Sequence, residues 1–181
     1  MYIQFKSDAQ LYKAAEELYE IYGGKKPLYK RIRTVSRRRA LLKNNIMDNI
    51  LKGMELVKDR TYILFPDLLP QDEKLTIKKE QNQKWQAFCW YLGNFNSRVE
   101  INIDANFSWS QILPFCAHEA YPGHHTETVI KEKLLFREQN YFEHCIFMIQ
   151  TPQRVIKEEI AEIAIDVLFS LQDQLEVGLQ L

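Results

Sequence analysis

The sequence predicts an α+β fold that is mainly helical and carries a small sheet or β-hairpin. Apolar residues recur at helical spacing over most of the chain, which favours helices. Two short segments, Trp85–Tyr91 and Arg98–Ile103, flank a turn-forming stretch as the arms of a hairpin do. The chain has 181 residues, 46% of them hydrophobic, which suffices for one core. We expect a single domain over residues 1–181, with a basic helical part over 1–60 and the strands and remaining helices over 61–181.

The N-terminal part is expected to form two helices. The first should begin after Ser7, because Gln10 lies three residues further on, as a capping box requires. A glycine pair that starts at Gly23 should end it. Pro27 suits the first turn of a second helix, whose apolar residues keep a roughly helical period to about Lys58.

Charge is distributed unevenly although the formal net charge is zero. Residues 1–60 carry 14 basic and 7 acidic side chains, against 10 and 17 in residues 61–181. The segment from Lys25 to Lys43 holds nine Lys or Arg and no acid. A nucleic-acid-binding module is one interpretation, but the zero net charge disfavours it. We favour a solvated basic helix that pairs with the acidic remainder.

The rest of the chain is predicted from periodicity and turn residues. Residues 61–72 are expected to form a short strand and a loop, and Lys74–Glu80 a further strand. In the second hairpin arm, Val99, Ile101 and Ile103 alternate with polar residues, so one face should be buried and the other polar. Helices are expected over Ser108–Ile130, with an interruption at Pro122-Gly123, over Lys131–Gln150, and over Val155 to about Leu175.

The composition also bears on the class of protein. No stretch approaches the roughly 20 apolar residues that a membrane span needs, and the N-terminus lacks the pattern of a signal peptide. Three cysteines without a C-x-x-C pair are typical of free thiols in a reducing compartment. We therefore expect a cytoplasmic protein with no membrane partner.

One segment, residues 118–125, concentrates groups that bind metals. It holds three histidines and a glutamate around a Pro-Gly pair. In the zinc motif H-E-x-x-H, two histidines at i and i+4 share one helix face, and the glutamate lies beside the metal. Here His118 and His124 stand at i and i+6, which on a regular helix leaves them about 120° apart. A regular helix would therefore not bind zinc through this pair.

Pro122 changes this interpretation. It lacks an N–H group and its ring would clash with the carbonyl of His118, so the helix must distort between the two histidines. A bulge there would bring His124 to the position of the second ligand. His125 at i+7 is the alternative, although on a regular helix it lies about 10.5 Å along the axis from His118. The spacing alone favours a metal site and ordinary helix histidines without a metal equally.

The segment His118-Glu119-Ala120-Tyr121-Pro122-Gly123-His124-His125 resembles the signature of the bacterial family known as domain of unknown function 885. That family is considered zincin-like and related to zinc carboxypeptidases and other gluzincins. The resemblance covers about residues 85–168. Trp90–Asn94 and Ser97–Asn102 look like the family's strand before the metal helix, and Thr151–Glu158 looks like the segment that leads into the helix of the third ligand.

The resemblance implies a zinc metallopeptidase with one Zn²⁺ ion. It assigns His118, His124 and Glu158 as ligands and Glu119 as the general base that takes a proton from the attacking water. It also implies a peptide or another carbonyl compound as substrate, aligned by Arg98–Ile103 as an edge strand. The residues themselves leave the third ligand open, because Glu158 and Glu162 share a helix face and either could bind while the other orients a histidine.

Two departures from the family define a second hypothesis. The family usually has glycine where this chain has Glu159, and its members are usually much longer. The resemblance therefore implies that helices which close the cleft are missing here. The alternative to an active zinc hydrolase is a truncated, catalytically inactive zincin-like remnant that binds metal or a protein partner. The sequence favours the enzyme and leaves the oligomeric state open.

Overall fold

The computed structural model describes residues 7–38, 45–145, 148 and 151–178. The chain divides into two compact units, Met1–Ala40 and Leu41–Leu181. The boundary falls well before residue 60, so the basic N-terminal part contributes to both units, and the single-domain organisation stays a prediction. Among the described residues, no helix combines the length and the apolar character that a membrane span requires.

The first unit consists of two helices, α1 (Asp8–Tyr22) and α2 (Leu28–Arg38). Ser7 caps α1 as predicted: its hydroxyl accepts a hydrogen bond from the Gln10 amide, and the Gln10 side chain accepts one from the Ser7 amide. This capping box satisfies two amides that the first turn of a helix otherwise leaves unpaired. The second helix begins one residue after Pro27, which was predicted to lie in its first turn. The predicted continuation of this helix to about Lys58 crosses residues 39–44, which lie outside the described residues.

One arginine of the basic segment serves the fold of this unit. Arg31 is only 9% exposed, and its guanidinium donates a hydrogen bond of 2.5 Å to the carbonyl oxygen of Gly23. Its carbon Cζ lies 4.9 Å from the centre of the Tyr19 ring, a cation–π distance. Arg31 therefore satisfies the C-terminal end of α1, whereas Lys30 and Arg33 are exposed.

The second unit confirms the α+β class, because most of its elements are helices and it holds one small sheet. Its elements are α3 (Ile46–Leu64), β1 (Lys74–Glu80), β2 (Ala87–Gly93), β3 (Asn96–Asn102), α4 (Trp109–Glu119), α5 (His124–Ile130), α6 (Pro152–Glu162), α7 (Ala164–Leu168) and α8 (Leu171–Gly178). The predicted strand within residues 61–72 is wrong, because α3 continues to Leu64. Thr61 is buried there, and its hydroxyl donates to the carbonyl of Val57 at 2.7 Å.

The sheet has the strand order β1-β3-β2. The predicted hairpin is confirmed, since β2 and β3 pair antiparallel. β1 pairs parallel with the other side of β3, in a register that sets Lys74 opposite Asn96. The prediction that the strand preceding the metal helix is an edge strand is therefore wrong: β3 is central, and both of its sides are already hydrogen-bonded.

The polar face of β3 is present as predicted, but other parts of the fold cover it. Glu100 is 9% and Asn102 is 4% exposed. The Trp90 indole donates to the Glu100 carboxylate at 2.9 Å, and the Asn102 amide donates to the carbonyls of Gln83 and Trp85. Buried polar groups need such partners, so both side chains are satisfied on a central strand.

The core of the second unit lies where α3, β3, α4 and α7 meet. Ile50, Val57, Val99, Ile112 and Leu168 are at most 2% exposed. At about 25 cal/mol per Å² of buried apolar surface, each such side chain contributes about 1.5–3 kcal/mol to folding. The core thus fixes α4, the helix that ends at the metal-binding segment.

The C-terminal half departs from its predicted helices. The helix expected over Val155–Leu175 is wrong as one element, because it breaks after Glu162 and again at Phe169, whose backbone is extended. α8 begins after Ser170, which acts as its N-cap and hydrogen-bonds with Asp173. The apolar spacing alone did not indicate this capping pair. In the segment predicted as helix over Lys131–Gln150, the described residues form a π-helical stretch over Lys131–Glu138 and a 3₁₀ turn over Phe142–Cys145.

Candidate metal centre

The interruption predicted at Pro122-Gly123 separates α4 from α5. α4 ends at Glu119, and α5 begins at His124. The Gly123 amide donates to the carbonyl of Ala117 at 2.9 Å, so the chain folds back onto the last turn of α4. The ring centres of His118 and His124 consequently lie 4.6 Å apart.

Three side chains meet at this fold-back. One ligand atom from each of His118, His124 and Glu158 lies within 4.8 Å of the other two. The two carboxylate oxygens of Glu158 lie 3.5 Å from Nε2 of His118 and 3.5 Å from Nε2 of His124. Zinc–ligand bonds of about 2.1 Å in a tetrahedral site separate neighbouring ligand atoms by about 3.4 Å. The three groups therefore lie close enough together that they could hold one metal ion.

The state of His124 also fits a metal ligand. Burial, together with the positive charges of His118, Lys157 and Arg154, lowers the pKa of His124 to about 3. Its imidazole is therefore neutral near pH 7, and the neutral form is the one that binds metals. Nδ1 of His124 is buried and has no hydrogen-bond partner among the described residues. Two imidazoles and a carboxylate form a set found in zinc sites.

His125, the alternative second ligand, is occupied elsewhere. It is fully buried, and its Nε2 and Nδ1 lie 2.7 Å from Glu73 Oε2 and Ser97 Oγ, respectively. The structure therefore brings His124, and not His125, to His118 and Glu158.

Glu158 lies near both histidines, whereas Glu162 lies near His118 only. Glu162 lies one turn further along α6, is 72% exposed in its side chain, and sits 3.7 Å from Nδ1 of His118. Arg154, one turn before Glu158, lies 2.6 Å from its carboxylate. Glu159 is exposed, so it does not crowd the group.

Glu119 is buried beside these ligands. It directly follows His118, is 9% exposed, and its Oε2 has no hydrogen-bond partner among the described residues. Burial, and then the negative charge of Glu158, raises the pKa of Glu119 to about 7. A carboxylate in this state can take up and release a proton near neutral pH.

Replacing Glu119 by glutamine is expected to change the stability of the metal-free protein in a pH-dependent way. The pKa of Glu119 is raised from its ordinary value of 4.5 to about 7. The protonated acid therefore favours the folded state below pH 4.5, and this contribution is lost as the pH rises through 7. At about 1.4 kcal/mol per pKa unit, ionisation costs the folded state about 3 kcal/mol. Relative to wild type, Glu119→Gln should gain about that much between about pH 4 and about pH 8.

Urea unfolding in the presence of a chelator at both pH values measures this difference. Glu159→Gln, which removes an exposed carboxylate from α6, is the control and should follow wild type at both pH values. An equal effect of Glu119→Gln at the two pH values would contradict the burial of an unpartnered carboxylate at this position.

The sequence did not predict one group of buried side chains behind the metal centre, which forms around Glu73. Glu73, in the loop before β1, binds His125 and also the hydroxyls of Tyr62 and Tyr121. Glu73 has no local motif, and its partners lie 11 to 52 residues away. The available signal was His125 itself, because a histidine on an inner helix face needs a buried partner.

Comparison of the chain with protein-family models, with curated proteins and with solved structures finds no match. The likeness to domain of unknown function 885 therefore stays a prediction from the motif. The described geometry is independent of it: a group formed by His118, His124 and Glu158 could hold a metal ion whichever family the chain belongs to.

Proposed function

We propose that this chain is a zinc-dependent hydrolase, with a peptide as its substrate and Glu119 as its general base. One observation carries the proposal: His118, His124 and Glu158 form a group that could hold one metal ion, beside the buried carboxylate of Glu119, whose Oε2 has no hydrogen-bond partner among the described residues. A structural zinc site needs no proton acceptor at its edge, whereas a hydrolytic one does.

The residues divide the chemistry between them. His118, His124 and Glu158 would hold zinc, which supplies Lewis acidity for a carbonyl group and lowers the pKa of a water molecule. Glu119 accepts the proton of the attacking water at its free Oε2 and returns it to the leaving amine. Arg154 keeps the carboxylate of Glu158 directed at the histidines through its ion pair.

The substrate would approach along β2 rather than β3. β2 packs against α4 and α5, the two helices that carry the histidines. Within the described part of the chain, β2 pairs on one side only, with β3. An extended peptide can add to such a free edge through backbone hydrogen bonds. This favours a peptide over a small carbonyl compound.

Zinc content and zinc-dependent cleavage test the proposal. The wild-type protein, purified without added metal, should carry one equivalent of zinc and cleave a mixture of unstructured peptides, which is followed by the appearance of new amino termini. His118→Ala should lose the zinc and the cleavage together, because two remaining ligands hold zinc too weakly. A wild-type protein that neither carries nor takes up zinc would refute the proposal.

A chelator provides the control for metal dependence. Its addition should stop cleavage by the wild-type protein, and restored zinc should recover it. Bound zinc without any peptide cleavage would instead support the second hypothesis, a zincin-like remnant that folds around metal or binds a partner.

A further inference from the structure

A buried carboxylate behind the metal centre connects four side chains. The Glu73 side chain is 1% exposed. It accepts hydrogen bonds from the hydroxyls of Tyr62 at 2.7 Å and Tyr121 at 2.8 Å, and its Oε2 lies 2.7 Å from Nε2 of His125. The ammonium group of Lys58 lies 3.0 Å from Oε1. Every oxygen of this carboxylate therefore has at least two partners.

Net stabilisation is not the usual role of such a network. Transferring a carboxylate from water into the protein interior costs several kcal/mol before its partners offset the loss. In other proteins, replacing a buried charged network by apolar side chains of similar volume is often neutral or stabilising. In some systems such a network instead selects one conformation among several.

The partners of Glu73 flank the fold-back of the metal centre. Tyr121 immediately precedes Pro122-Gly123 and His125 follows the ligand His124, so both ends of the bulge are tied to one carboxylate. On its other side, Nδ1 of His125 lies 2.7 Å from the hydroxyl of Ser97 on the central strand β3. The segment between these anchors has little freedom to move.

The ligand His124 has no such support of its own. A metal-binding histidine is usually oriented by a hydrogen bond from its second ring nitrogen to a carboxylate or a carbonyl. Nδ1 of His124 is buried without a hydrogen-bond partner in the part of the chain that the structure describes. Its orientation must therefore come from the backbone on either side of it.

We propose that Glu73 is a positioning residue of the metal centre: it holds the segment from Tyr121 to His125 in the conformation that brings His124 to His118 and Glu158. This inference rests on the metal site proposed above. Glu73 does not touch the ligands, but acts through Tyr121 and His125.

Two tyrosines provide a matched test. Tyr121→Phe and Tyr62→Phe each remove one hydroxyl that donates to Glu73, but only Tyr121 belongs to the bulge. Loss of groups that orient metal ligands typically weakens metal binding about 10- to 100-fold. We expect Tyr121→Phe to raise the Kd for Zn²⁺ at least about tenfold, and Tyr62→Phe to change it by less than about threefold.

Glu73→Gln should act like Tyr121→Phe and more strongly. An amide has one acceptor atom where the carboxylate has two, and it lacks the negative charge that pairs with Lys58, so it cannot accept hydrogen bonds on both sides as Glu73 does. If the Glu73→Gln variant does not fold, the two tyrosine variants suffice for the test. The free energy of unfolding is measured for each variant, so that zinc affinities are compared between proteins of known stability.

A measurement on the metal-free protein separates this inference from the proposed function. In the metal-free protein, the ring protons of His118 and His124 should give a nuclear Overhauser effect, because the ring centres lie 4.6 Å apart. The effect should be lost in Tyr121→Phe and Glu73→Gln and kept in Tyr62→Phe. If the wild-type protein binds no zinc but this pattern is observed, the metal site is refuted and the positioning role stands.

The inference is overturned by either of two results. One is a folded Glu73→Gln variant that keeps both the ring contact and the wild-type zinc affinity. The other is an equal loss of zinc affinity in Tyr62→Phe and Tyr121→Phe, which a role in general stability would produce.

Discussion

Gly123→Ala is expected to abolish zinc binding and to destabilise the protein by more than about 4 kcal/mol, beyond the usual range for a single substitution. A Cβ atom at this position would lie 2.0 Å from the carbonyl oxygen of His118 and 2.4 Å from that of Ala117. Both are backbone atoms at the end of α4, so no side-chain rotation relieves the contact. The fold-back would have to open, which would separate His124 from His118.

Contact with the end of α4 is one reason for glycine at this position. The backbone of Gly123 has φ −71° and ψ −132°, and this ψ lies outside the main regions that residues with a side chain adopt. The close approach to α4 involves residues five and six positions earlier, and becomes visible only once the fold-back is known.

Gly93→Ala is the matched control. Gly93 has a φ of +80°, but nothing lies within 4 Å of its Cβ position, so alanine there should cost only about 1 kcal/mol of backbone strain. Urea unfolding and zinc content of both variants give the comparison. If Gly123→Ala is no more destabilised than Gly93→Ala and still binds zinc, the tight fold-back does not exist as described.

Local signals predicted much of the fold. The capping box at Ser7, the hairpin of β2 and β3, and the break between α4 and α5 each depend on residues within a few positions of one another, and each is confirmed. Capping and turn chemistry act over such distances. The two helices that carry His118 and His124 can therefore be recovered from the sequence.

Non-local pairing was not recoverable in the same way. β1 pairs with β3, although β2 lies between them in the sequence. The pairing is parallel, and its register is offset by 22 residues. A parallel partner leaves no turn signal, and the alternation in β3 is the same whether it is an edge or a central strand. The error matters for function, because it moves the free sheet edge beside the metal centre from β3 to β2.

The candidate site shows the same division. His118, Glu119 and His124 follow from one local segment once the bulge at Pro122 is allowed. The residues left Glu158 and Glu162 as alternatives and the preference for Glu158 came from the resemblance, while the choice between His124 and His125 needed the positions of Glu73 and Ser97. Since these two partners lie 52 and 28 residues from His125, no local pattern distinguishes the histidine that faces the ligands from the one that anchors the bulge.

Glu119→Gln is expected to lower the rate of peptide cleavage by about 100-fold or more while zinc remains bound, since general acid–base catalysis contributes about 10²- to 10⁴-fold. The amide has nearly the shape of the carboxylate but cannot accept the proton of the attacking water. His118, His124 and Glu158 are unchanged, so zinc content should stay at one equivalent. The measurements are cleavage under single-turnover conditions and bound zinc on the same sample.

The expected gain in stability makes this result hard to attribute to misfolding. In the metal-free state, the substitution should stabilise the fold above pH 7, because it removes a buried charge that burial and Glu158 disfavour. A variant that is more stable, retains zinc and has lost cleavage would show that Glu119 is kept for chemistry at the expense of stability, as active-site groups often are. Full activity in Glu119→Gln would rule out its role as general base. With saturating zinc, its stability advantage should shrink, since a nearby cation favours the carboxylate.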